Sequence, residues 1–88
     1  MLRRENRREP RRAVDGEVRV WVVLPRRFEI HGRLVDVSVS GFRMSHAYTA
    51  LESGQTVEFS HLEATGRARV VWTRISGERV ESGFLVEA

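Results

Sequence analysis

With 88 residues and no cysteine, the chain has room for one small domain and can build neither a disulfide framework nor a thiolate metal site. No apolar run approaches the ~20 residues of a spanning helix, and the arginine-rich start lacks the apolar stretch of a signal peptide, so a cytoplasmic protein is expected. All 15 basic residues are arginine, and they are unevenly placed. Residues 1–12 carry six arginines against two glutamates, a net of +4, while residues 13–88 carry nine against ten acids, a net of −1.

The first segment, 1–12, therefore reads as a flexible arginine-rich arm on a near-neutral body spanning 13–88. Such an arm either binds anions or remains a solvated tail, and composition alone does not separate the two. Pro10 fixes its own φ and biases Glu9 away from the α region, so the segment Arg7–Arg12 is expected to be extended or turned.

Beyond the arm the pattern has period two. In 17–24, Val18, Val20, Val22 and Leu24 share one face, with Arg19 and Trp21 on the other; Pro25 stops that strand. A second strand is expected over 28–37, offering Phe28, Ile30 and Leu34 to the core, with Gly32 as a bulge or twist point. A third covers 41–46, with Phe42 and Met44 in phase. Residues 48–53 suggest one helical turn that Gly54 ends in a left-handed conformation. Three more strands are expected over 56–62, 67–75 and 79–87, the last two joined by the turn Ser76-Gly77-Glu78. Six short strands with regular turn signals point to an all-β fold, a small six-stranded antiparallel β-barrel, in which closure removes exposed edges.

Nothing in the pattern suggests an enzyme. His31, His46 and His61 are scattered, with no acid or second histidine at metal-ligand spacing, and no glycine-rich loop leads into a helix. Trp21 and Trp72 read as core or sheet-face residues. No metal and no cofactor is expected.

Two motifs carry chemistry. The first is Arg7-Arg8-Glu9-Pro10-Arg11-Arg12. In an extended backbone, arginines four apart can present two guanidinium planes to a common ligand, and guanidinium suits a nucleotide because it can stack on a base and bond guanine O6 and N7. Two overlapping pairs fit, Arg7/Arg11 and Arg8/Arg12; Pro10, ahead of the second arginine, favours Arg7/Arg11. The second motif is Asp36-Val37-Ser38-Val39-Ser40-Gly41, at the junction of the second and third strands. Its carboxylate can accept from guanine N1–H and N2–H₂, its hydroxyl can bond a phosphate or base edge, and Gly41 permits φ > 0 and close approach of a ligand. The bland alternative is a turn whose Asp36 and Ser38 bond their own backbone.

In their order and β context the motifs resemble the PilZ domain family. Arg7-Arg8-Glu9-Pro10-Arg11 matches its first motif, Asp36-Val37-Ser38-Val39-Ser40-Gly41 its second, and Val70-Val71-Trp72 and Gly83-Phe84 fall where such domains carry comparable strands. The resemblance implies a split-barrel fold and a receptor for cyclic di-GMP. Arg7 and Arg11 would hold guanine edges and phosphates, with Arg8 or Arg12 as the alternative pair and Arg12 a further source of positive charge. Asp36 and Ser38 would fix a guanine edge or phosphate, and Gly41 would let the backbone approach. It further implies signalling by arm closure toward a downstream protein partner, in motility, biofilm or exopolysaccharide control. Two other readings stand beside it: a barrel binding single-stranded nucleic acid through the arm, and a PilZ-like adaptor that no longer binds the nucleotide. DNA binding and membrane insertion are not expected.

Overall fold

Alternating apolar side chains give the chain its architecture. The computed structural model describes residues 10–87 and contains seven strands: β1 (Arg12–Ala13), β2 (Glu17–Val22), β3 (Phe28–Val37), β4 (Gly41–His46), β5 (Thr56–His61), β6 (Ala64–Ser76) and β7 (Arg79–Glu87). Strands pair antiparallel in the order β3-β2-β5-β6-β7-β4, and β4 returns to pair with β3, closing a six-stranded barrel. The short β1 adds to the edge of β3. Val14 N–H bonds Val35 O, and Leu34 N–H bonds Gly16 O, so β1 extends the line of β2 along β3.

The inward residues form one core. Val18, Val20 and Val22 from β2 meet Phe42 and Met44 from β4, Val57 and Phe59 from β5, and Val70 and Phe84 from β6 and β7. Phe42 stacks on Phe84 at 4.7 Å between ring centres and tilts against Phe59 at 4.9 Å. Such aromatic pairs add about 0.5–1.5 kcal/mol beyond the area they bury.

Several expectations need correction. Leu24 does not join the core. The β2–β3 ladder ends at Val22 opposite Phe28, which leaves Leu24 in the connecting turn, 75% exposed. No helical turn forms over 48–53; one isolated turn gains too few bonds to offset its ordering, and Leu51 instead tucks into the core. Gly54 does adopt a positive φ, as does Gly77 in the β6–β7 turn.

Gly32 is not a bulge. It stays in register with Val18, and a side chain there would collide with the Ser45 carbonyl. The irregularities fall elsewhere: β3 carries one extra residue between Leu34 and Asp36, and β6 one between Val70 and Trp72. Each shift reverses which face the following side chains occupy. Leu34 and Val37 both stay buried, and Asp36 turns to the outer face opposite Arg43. Likewise Val70 stays inside while Trp72 turns out opposite Gly83.

Candidate functional site

Of the two re-aimed residues, Trp72 lines a groove on the outside of the barrel, and Asp36 bonds two of the arginines that line it, Arg11 and Arg43. The groove has a volume of about 510 Å³ and is lined by Arg11, Ser38, Ser40, Gly41 to Arg43, Val71, Trp72, Arg74 and Gly83 to Leu85. β1 delivers Arg11 to its rim, because pairing with β3 sets Arg12 opposite Val37 and Ala13 opposite Asp36.

Asp36 is nearly sealed beneath these arginines, its side chain 8% exposed. Arg11 Nε donates to its Oδ1 at 3.0 Å. From the other side Arg43, its direct cross-strand neighbour, donates Nε to Oδ2 at 2.9 Å and also bonds that oxygen through Nη2. Burial by itself would raise the Asp36 pKa, but the hydrogen bonds from Arg43 and then Arg11 outweigh it and hold the carboxyl below its ordinary range. The carboxylate is thus engaged by two arginines before any ligand arrives, and it orients them.

Ser38 closes its own turn. Its N–H bonds Gly41 O at 2.9 Å, and its hydroxyl donates to the same carbonyl at 3.4 Å while accepting from Arg11 Nη1 at 3.4 Å. Val86 N–H bonds Ser40 O at 2.7 Å and ties the turn to β7. Gly41 serves a different purpose from the one its motif suggests. Its φ is not positive, and the close approach it permits is that of β7, since a Cβ there would collide with the Phe84 carbonyl.

The opposite wall is aromatic and basic. Trp72 lies against Gly83, where any side chain would meet the indole. The Arg74 guanidinium sits over the indole, 4.8 Å from its ring centre, a cation–π contact. Three guanidiniums therefore line one groove; Asp36 bonds two of them, and Glu81 lies opposite Arg74 across the β6–β7 ladder.

Of the sequence candidates, Arg11, Asp36, Ser38 and Gly41 come together here. Arg12 does not: its Nη2 donates to Glu63 Oε1 at 2.6 Å, toward the β5–β6 hairpin. Arg7 and Arg8 lie outside the described residues. Arg11 and Arg12, assigned to the arm by composition, rest on the barrel, held by the Arg11–Asp36 bond and β1 pairing.

Arg43, Trp72 and Arg74 were missed as site residues. For Arg43 the signal was present, since Phe42 and Met44 in the core put Arg43 outside; for Trp72 and Arg74 the unmarked bulge hid it. Elsewhere, His46 is buried with Nε2 at 2.8 Å from Ser82 Oγ and Nδ1 accepting from Tyr48 N–H at 3.0 Å. Among the described residues, no group of His, Asp and Glu is arranged to hold a metal ion. Set against known proteins, the chain is matched by no family model and by no curated protein.

Proposed function

We propose that the groove binds cyclic di-GMP in the manner of a PilZ-type receptor domain. The observation that carries this reading is the meeting of Arg11, Asp36 and Ser38, from two distant motifs, on one groove together with Arg43 and Arg74. Three guanidiniums against two carboxylates, Asp36 and the Glu81 that faces Arg74, leave a positive rim suited to phosphate. The Trp72–Arg74 stack and the planes of Arg11 and Arg43 offer flat faces to purine bases.

In this reading Asp36 acts as a positioning residue. It holds Arg11 and Arg43 splayed on either side, so their remaining N–H groups point to ligand without a separate cost of ordering. Arg7 and Arg8, the preceding arginines of the same motif, supply further positive charge for the ligand's phosphates in this reading. Ligand capture at this groove is then the change a downstream partner reads.

Parallel titrations of cyclic di-GMP, GTP and a short single-stranded oligonucleotide, each at two salt concentrations, test it. The reading expects saturable binding of the cyclic dinucleotide alone. Oligonucleotide binding with a salt slope of about −0.7 per phosphate contacted would favour the nucleic-acid alternative. No binding of any of the three would leave the adaptor reading.

A further inference from the structure

β6 outruns its neighbour on one side. β5 pairs with it only from Ala64 to Arg69. Val70 then gives its N–H to Gln55 O at 2.9 Å and accepts from Gly54 N–H at 2.7 Å. From Trp72 to Ser76, β7 runs along one edge, and among the described residues no backbone group bonds the other.

The hairpin shows which groups face that open edge. It closes on the two residues Gly77 and Glu78, between Ser76 and Arg79, so Ser76 and Arg79 exchange ladder bonds. Antiparallel alternation then directs Arg74 and Trp72 toward β7, and leaves the N–H and C=O of Thr73 and Ile75 pointing outward from the sheet. Ile75 is 56% exposed and Val71 47%.

We infer that a second copy of this chain pairs antiparallel with this edge, about a two-fold axis at Thr73. In that register Thr73 faces Thr73 of the second copy. Trp72 of each copy then lies opposite Arg74 of the other, since both sit one step from the axis on the outer face. Arg74 already packs on its own Trp72, so the joined face carries two indoles interleaved with two guanidiniums.

The neighbouring register, centred on Arg74, sets like charges directly opposite and is excluded. Arg74 thus disfavours pairing of this edge centred on itself. Pairing supplies backbone partners to Thr73, and brings the two arginine grooves side by side. The inference does not depend on the nucleotide reading.

Sedimentation velocity on the full chain, without nucleotide and over a range of concentrations, tests it. The expected result is a reversible monomer–dimer equilibrium that both Arg74→Glu and Ile75→Lys abolish. Both positions are exposed, and far-UV circular dichroism should remain that of the wild type. A wild-type chain that stays monomeric up to ~1 mM overturns the inference. So does a dimer that survives either substitution.

Discussion

Arg11 Nε and Asp36 Oδ1 lie 3.0 Å apart across 25 positions of sequence. The bond joins the base of the arm to the wall of the barrel, and Arg43 grips the same carboxylate from the opposite side. Each guanidinium is about a third exposed, at 37% and 35%, while the carboxylate is almost sealed. The acid is therefore structural in position and electrostatic in effect: it selects which faces of two arginines the groove presents.

Asp36→Asn should lower stability by about 1–2 kcal/mol. A neutral amide weakens charge-assisted bonds, but both arginines can turn to water, which limits the loss. Urea denaturation reads it. Affinity for cyclic di-GMP should fall at least tenfold, about 1.4 kcal/mol. Because the folded pKa of Asp36 is depressed, its contribution is full above the ordinary value of 3.8 and fades as pH falls through the folded one. The variant should lack that acid-side component.

Arg12→Ala should leave cyclic di-GMP affinity within about threefold of wild type. Arg12 is turned to Glu63, whose carboxyl it holds below the ordinary range through their hydrogen bond. A tenfold loss in a calorimetric titration would mean that Arg12 swings round to the groove on binding.

Stability should decline on mild acidification. Burial pushes the His46 imidazole below its ordinary pKa of 6.5, and its Nδ1 must be unprotonated to accept from Tyr48. The unfolded chain thus binds the extra proton more readily, so the contribution is complete above pH 6.5 and lost as pH drops through the lower folded value. Burial shifts His61 the same way, Glu63 opposing it only in part. Urea midpoints at about pH 7.5 and about pH 5.5 should differ in the wild type, less in His46→Gln, and least when His61→Gln is added. Equal wild-type midpoints would contradict this assignment.

Gly41→Ala should destabilise by about 2 kcal/mol or more, because the added methyl must push β7 away from β4. For a domain of this size that lowers Tm by roughly 10 °C in calorimetry. A variant with wild-type Tm would return Gly41 to the ligand-approach role its motif suggests.

Much of the barrel was legible because side chains alternate wherever one face is buried. Val18, Val20 and Val22, or Phe42 and Met44, mark their face without tertiary information. The candidate site was legible only in part. Arg11, Asp36 and Ser38 stand out by spacing, but nothing local marks the extra residues at Val35 and Val71. A valine in a valine-rich strand carries no bulge signal, whereas Gly32, which does, keeps its register. Those two insertions aim Asp36 and Trp72 outward, so the groove's far wall of Trp72 and Arg74 emerges only from the pairing of β6 with β7. β1 escaped notice for a related reason, as two residues give no period to read.

The central claim is that Arg11, held by Asp36, grips cyclic di-GMP in this groove. Isothermal titration of that ligand into the wild type and into Arg11→Ala tests it most directly. The account predicts saturable binding to the wild type and at least a tenfold weaker dissociation constant for the variant. Equal affinity in the two proteins would contradict it.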